Sequence, residues 1–386
     1  MSEHVRAALA AVVDGRTLSS DEARLAMGAV MDGEATPSQL GAFLVALRMR
    51  GETVDELAGF ARAMRERVVR VDAPDGAIDT CGTGGDGRGT FNISTAAALV
   101  VASCGVPVAK HGNRAITSAS GSSDVLDALG VPTRLGPVEA AAMLREVGFA
   151  FLFAPGYSPA MRHAGPTRAE IGIRTAFNLL GPLTNPAGAR RQLLGVADGA
   201  AARRLADVLR ALGTERALVV HGDRLDELPL DGTGVAYDVT PGGVARHEVL
   251  PEDVGLPRAS TEDLAGGTPA ENAARMESLF EGERGPIHDA VALNAGAALL
   301  VAGRVADLRQ GVELAQLAIR DGRPRRLLER LRALEARRRE AEEAGASAIT
   351  AASNSAASNS AADAVPSAPR PGSDSPAGAA STGGGR

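Results

Sequence analysis

The chain has 386 residues, 45% of them hydrophobic, which suits one large or two medium domains with a substantial core. A formal net charge of −6, 3% aromatics and no Trp argue against a basic nucleic-acid face or base stacking, so no nucleic-acid partner is expected. Two cysteines, Cys81 and Cys104, fit no disulfide or zinc pattern and suit a reducing compartment. The start, MSEHVRAALAAVVDG, lacks a signal-peptide pattern, and no apolar run reaches the ~18 residues of a membrane span. A cytoplasmic protein with no membrane partner is therefore expected.

The first 70 residues read as helices. Ser19 with Glu22 and Thr53 with Glu56 have capping-box spacing, and Thr36-Pro37 gives an N-cap with Pro in the first turn. Leu40, Phe43, Leu44 and Leu47 recur at i, i+3, i+4 and i+7, one apolar face, and Gly51 ends that helix. Leu57, Phe60 and Met64 continue as core. Residues 1–74 are expected to form a small helical domain, joined by helices from about 168–188, and Asp72 to Gly76 reads as a hinge.

From residue 77 short apolar strands alternate with Ala-rich helices. Strands are predicted at 77–80, 106–109, 149–153 and 217–222, and helices at 95–104, 123–129, 137–147 and 199–212. The alternation predicts an α/β fold over 75–338, a central mostly parallel sheet flanked by helices with functional loops at the strands' carboxyl ends. Helices return over 268–336, opened by the capping box Thr268-Pro269-Ala270-Glu271. Residues 339–386 turn to Ala, Ser, Gly, Pro and Asn. They cannot bury enough apolar surface to offset chain entropy and are expected to be disordered.

DTCGTGGDGRGTFNIST (79–95) is the most telling stretch. Gly82 to Gly87 satisfies G-x-G-x-x-G, yet the next helix starts only after further loop. About 20 residues on, a dinucleotide fold would place an acid, and this chain places Lys110. Glycine loop plus cation suits a phosphate-rich ligand. Backbone N–H groups of the loop, and Asn92, Ser94 and Thr95 at a helix start, form an anion site. Asp86 in such a cradle binds a metal, holds a ribose hydroxyl or caps the loop. Lys110 can pair with a phosphate, His111 and Asn113 can hydrogen-bond a substrate, and the hydroxyl run Thr117 to Asp124 suits a second phosphate. Asp226-Glu227 is an acid pair able to hold Mg²⁺ on a multiply phosphorylated ligand. Either Arg168 or Arg174 could pair a substrate carboxylate bidentately.

GTGGD (82–86), NIST (92–95), KHGNR (110–114), SGSSDVLDALG (120–130), GIRTAFNLLGPLTNPA (172–187), HG with LDE (221–227) and GGTPAENA (266–273) occur in this order. Together they resemble the anthranilate phosphoribosyltransferase family over about 75–335. The resemblance implies an enzyme of tryptophan biosynthesis, a homodimer using Mg²⁺. It would transfer the phosphoribosyl group of 5-phosphoribosyl 1-pyrophosphate to anthranilate, giving N-(5-phosphoribosyl)anthranilate and pyrophosphate. It implies a donor site of Gly82, Thr83, Gly85, Asp86, Thr90, Asn92, Ser94, Thr95, Lys110 and Ser122. It implies an anthranilate site of Gly82, His111, Asn113 and Arg168, and a metal site of Ser94, Asp226 and Glu227. No side chain is implied as acid or base, since an aromatic amine is already a neutral nucleophile. Two places depart from the family: Tyr157-Ser158-Pro159 where many members have Tyr-His-Pro, and Pro229 after Asp226-Glu227-Leu228 where they have Ser or Thr. The alternatives are phosphoribosyl transfer to another aromatic amine and a pyrimidine nucleoside phosphorylase, whose K-H-S-x-G-G-V-G-D and R-x-x-x-S-x-K-K signatures are absent here.

Overall fold

The computed structural model describes residues 2–85, 87–114, 119–223 and 225–362. Four helices come first: α1 (Glu3–Val13), α2 (Ser20–Met31), α3 (Pro37–Arg50) and α4 (Val54–Arg65). Reciprocal capping boxes at Ser19, Thr36 and Thr53 satisfy first-turn N–H groups of α2, α3 and α4, with Glu22, Gln39 and Glu56 closing them. Gly51 takes φ +89° after α3, as the break there requires. Leu40, Phe43, Leu44 and Leu47 all face the core.

The larger part runs β1 (Ile78–Gly82), α5 (Ile93–Ser103), β2 (Val108–Gly112), α6 (Ser122–Ala128), α7 (Pro137–Val147) and β3 (Phe149–Phe153). Three short helices follow, α8 (Ala154–Tyr157), α9 (Gly165–Ile171) and α10 (Phe177–Leu180), then β4 (Arg191–Gly195), α11 (Gly199–Ala211) and β5 (Arg216–His221). A hairpin of β6 (Gly234–Thr240) and β7 (Gly243–Val249) completes a seven-stranded sheet in the order β3-β2-β1-β4-β5-β6-β7. The first five strands are parallel and the last two antiparallel. The predicted mostly parallel sheet is present, but β4, β6 and β7 escaped the sequence reading. β4 is five residues after a breaker-rich loop. β7 is exposed along its middle and lacks the apolar run used to find strands. Helices α12 (Pro269–Phe280), α13 (Pro286–Val301), α14 (Leu308–Arg320) and α15 (Arg323–Ala362) end the described chain. No described helix is long and apolar enough to cross a membrane.

Strand alternation divides the core between the two faces of the sheet. Leu193, Leu218 and Val220 pack with α5, α13 and α14 on one face. Leu194, Ala217 and Val219 face the other way, into a cluster that includes Phe43, Phe60, Phe177 and Leu205. The helical bundle therefore shares a core with the sheet, and α9 packs on α3 while α10 packs on α4. Glu52 pairs with Arg204 of α11 at 3.4 Å across this junction.

The stretch expected to be disordered from 339 is corrected in part: α15 continues to Ala362, and residues 363–386 lie outside the described residues. Burial was the wrong criterion there. Over 333–344, ALEARRREAEEA consists of strong helix formers, and Arg338 pairs with Glu342 one turn on, so local propensity supports the helix there. Residues up to Glu335 form one compact unit.

Candidate active site

β1, β2, β4 and β5 end together, at Gly82, Gly112, Gly195 and His221, and the loops that follow form one crevice. This is where an open parallel sheet places a ligand. Gly82 and Gly195 face each other across the β1–β4 pair. A Cβ on Gly82 would lie 2.3 Å from Asp226 Oδ2, and one on Gly195 would lie 1.6 Å from the Asp226 carbonyl oxygen. Both strands end in glycine because the acidic loop lies directly on them. Asp226 Oδ2 accepts the N–H of Gly84 at 2.9 Å. Glu227 Oε1 accepts the N–H of Ser94 at 3.1 Å, one of the unsatisfied donors of the first turn of α5. The next residue is pinned from α13, where Asn294 accepts the Leu228 N–H at 2.9 Å and donates to its carbonyl at 3.2 Å.

Lys110, near the end of β2, is 2% exposed. Its Nζ donates to the Thr80 carbonyl and, at 3.3 Å, to Ser94 Oγ. Burial pushes its pKa below the ordinary lysine value, while Asp79, Cys81, Glu227 and Asp226 pull it back up. Asp79 is fully buried and its Oδ1 accepts the His111 N–H at 3.1 Å. The imidazole of His111 is also buried, and burial lowers its pKa, opposed by Asp79 and by a hydrogen bond to the Gly181 backbone. Its Nε2 has no partner among the described residues. The segment carrying Gly181 is laid on β2 by Asn185, which donates to the Ala109 carbonyl at 2.8 Å.

Asn92 does something the sequence did not reveal. Its amide oxygen accepts from Ser120 Oγ at 3.1 Å and from Asn272 at 2.9 Å, and its NH₂ donates to the Ser120 carbonyl at 3.1 Å. It ties its own loop to the Ser120 loop and to the first turn of α12. Thr90 bridges to Ala265, Thr95 is buried in the first turn of α5, and the Thr83 N–H is committed to the Gly195 carbonyl at 2.9 Å. Ser122 opens α6 and donates to the Asn113 carbonyl at 3.2 Å. A Cβ on Gly112 would meet Ser122 Oγ at 2.5 Å, so Ser122 stands beside the strand that carries Lys110. Asn113 itself is exposed. Asp86, Thr117 and Ser118 lie outside the described residues.

The two arginines separate. Arg168 of α9 is partly buried, stacks on Phe177 with Cζ 4.8 Å from the ring centroid, and has no ion-pair partner among the described residues. Burial lowers its pKa, the direction expected of a cation lacking its counter-ion. Arg174 instead donates to the backbone of the glycine loop, to Gly84 O at 3.2 and 3.3 Å and to Gly85 O at 3.3 Å. Gly84, Asp79 and Asn272 were missed as site residues. Asn272 was signalled only within GGTPAENA, where it reads as part of a helix start.

A parallel sheet ending in a glycine loop, a buried lysine and an acid pair, backed by a helical bundle, is the architecture of a transferase acting on a phosphorylated donor. Residues 6–68 match the helical bundle domain of a glycosyl transferase family, and residues 74–325 match its a/b domain. The anthranilate phosphoribosyltransferase of Symbiobacterium thermophilum is 53% identical, covering 88% of this chain and all of its own; that of Azorhizobium caulinodans is 51% identical, covering 86% and 98%. The crystal structure of anthranilate phosphoribosyltransferase from Thermus thermophilus superimposes with a TM-score of 0.81 at 47% identity, over 85% of this chain and 99% of that one. The Saccharomyces cerevisiae enzyme, in complex with PRPP and Mg, gives a TM-score of 0.80 at 26% identity, over 87% and 99%. The chain belongs to the anthranilate phosphoribosyltransferase family.

Proposed function

We propose that this protein transfers the phosphoribosyl group of 5-phosphoribosyl 1-pyrophosphate to the amine of anthranilate, releasing pyrophosphate, as a step of tryptophan biosynthesis. The observation that carries the reading is the seating of Asp226 and Glu227 on the N–H groups of Gly84 and Ser94, beside the buried Lys110. Backbone donors that already hold carboxylates can hold phosphate oxygens.

The donor set fits Mg²⁺. Asp226, Glu227 and the Ser94 hydroxyl offer hard oxygens, and among the described residues no three His, Cys, Asp or Glu side chains gather at one point. The remaining ligands would come from phosphate oxygens and water, the usual way this ion is held. Mg²⁺, when bound, neutralises charge that builds on the leaving pyrophosphate.

The chain's own residues do the positioning. The glycine loop and the α5 N-terminus bind the donor, and Lys110 adds a fixed cation. Arg168, which has no ion-pair partner among the described residues, receives the acceptor's carboxylate. His111, kept neutral by burial, offers Nε2 to the amine. The C1–O bond to pyrophosphate breaks, the C1–N bond forms from the amine lone pair, and one amine proton is released. Holding both reactants in line supplies much of the rate. We further place the protein in the cytoplasm as a homodimer, with the exposed apolar side chains Val13 and Met49 of the bundle as candidates for the contact.

Loss of anthranilate fluorescence tests the reading. It should require protein, phosphoribosyl pyrophosphate and Mg²⁺ together. No loss despite donor binding by calorimetry would move the acceptor to another aromatic amine, and no donor binding would overturn the whole assignment.

A further inference from the structure

Arg174 lies six residues beyond Arg168, and residue type alone makes both candidates for a substrate carboxylate, though the family resemblance implies only Arg168. Their surroundings differ. Gly172 adopts φ +67° and ends α9, and Asn178 Oδ1 accepts the Thr175 N–H at 2.9 Å, so the backbone on both sides of Arg174 is anchored. From this turn the guanidinium reaches the glycine loop and donates to two consecutive carbonyls, Gly84 O and Gly85 O, at 3.2 to 3.3 Å. Gly84 and Gly85 have φ +62° and +71°. The same peptide segment presents its N–H side to Asp226, which accepts from Gly84 at 2.9 Å. The loop is thus gripped from both sides, by a cation on its carbonyls and by a carboxylate on its N–H. A Cβ on Gly85 would lie 2.0 Å from the Arg174 guanidinium, so the close approach is built into the sequence of the loop.

We infer that Arg174 is a positioning residue for the phosphoribosyl donor. The inference rests on the function proposed above. Mg²⁺ held by Asp226 would compete for the carboxylate that grips the N–H side, and the donor's phosphate would need those N–H groups still aimed into the crevice. Arg174 holds the carbonyl side throughout, and its planar fork suits two neighbouring carbonyls as a lysine ammonium does not. It acts through the shape of the loop. The side chain also borders a cavity of about 350 Å³ that Arg48, Asp198 and Arg204 help to line, so shortening it enlarges open space and leaves the core intact.

The test is the pair Arg174→Gln and Arg174→Lys. Donor dissociation constants are measured by calorimetry with Mg²⁺, KM values for donor and acceptor by the fluorescence assay, and Tm by scanning calorimetry. Arg174→Gln is expected to weaken donor binding about tenfold, the cost of ordering on binding a loop that is no longer held in the free protein. Acceptor KM should stay within about twofold, Tm should stay unchanged, and Arg174→Lys should recover only part of the donor affinity. Unchanged donor affinity in both variants overturns the inference. So does a rise confined to the acceptor KM, which would give Arg174 the carboxylate role. If the wild-type protein itself binds no donor, the fault lies in the proposed function.

Discussion

The carboxylate of Asp226 and the N–H of Gly84 meet at 2.9 Å across 142 positions of sequence. Glu227 makes the same kind of contact with Ser94 at 3.1 Å. The two acids that would hold the metal thus stand on backbone donors that the proposed substrate would need. Without the ion, two negative charges oppose an incoming pyrophosphate; Asp226 and Glu227 would hold Mg²⁺, whose charge would offset theirs and free the backbone donors. Inorganic pyrophosphate should therefore bind the wild-type protein weakly in chelator and much more tightly with Mg²⁺. Removing one like charge at this distance is worth about 1 kcal/mol. Asp226→Asn should accordingly bind metal-free pyrophosphate roughly fivefold tighter than wild type while losing most of the Mg²⁺ enhancement. Titration calorimetry at fixed ionic strength reads both, and a variant that binds metal-free pyrophosphate no better than wild type would sink this coupling.

Arg168→Ala should raise the anthranilate KM roughly 10- to 100-fold, the worth of a charge-assisted carboxylate contact, and leave donor affinity alone. Its stacking on Phe177 is lost too, so a small drop in Tm is expected. Steady-state kinetics with each substrate varied in turn decides the matter. A donor effect as large as the acceptor effect would contradict the division of labour between Arg168 and Arg174.

Gly195→Ala puts a methyl group 1.6 Å from the backbone oxygen of Asp226, and no rotamer can relieve a clash with backbone. The acidic loop must move. A loss of about 2 kcal/mol in urea unfolding is expected, together with a higher Mg²⁺ requirement. Gly82→Ala meets only the end of the Asp226 side chain, at 2.3 Å, so it should disturb the metal requirement more than the stability. Equal stability losses in the two variants would show that the acidic loop is free to shift.

His111 sets an acid-side dependence. Its folded-state pKa lies below 6.5, its ordinary value, chiefly through burial. The unfolded chain therefore takes up a proton that the folded chain resists, so stability falls as pH drops below 6.5 and levels off once the folded state also protonates. His111→Gln should lose that part of the acid destabilisation. Unfolding midpoints of both proteins between pH 5 and 7.5 measure it, and parallel curves would contradict the assignment.

What the sequence by itself determined was local. Ser19 with Glu22, Thr53 with Glu56 and Thr268 with Glu271 lie three residues apart and close their helix starts as spacing alone predicts, and Thr36 caps α3 as expected, with Gln39 closing a box there too. The apolar face of α3 and the glycine loop between β1 and α5 were legible for the same reason, since neighbours in sequence do the work. Tertiary structure decided what pairs distant residues. β4 and the β6–β7 hairpin take their identity from the ladder they join, and α15 continues where composition suggested disorder. Asn92 reads as a ligand-binding amide, and only the fold joins its amide oxygen to Ser120 and Asn272, 28 and 180 residues away. Arg168 and Arg174 carry the same charge six residues apart, and only the fold sends one to an aromatic ring and the other to the carbonyls of Gly84 and Gly85. A side chain's chemistry belongs to its residue type, but its partner is set by chain topology, and partners decide function here.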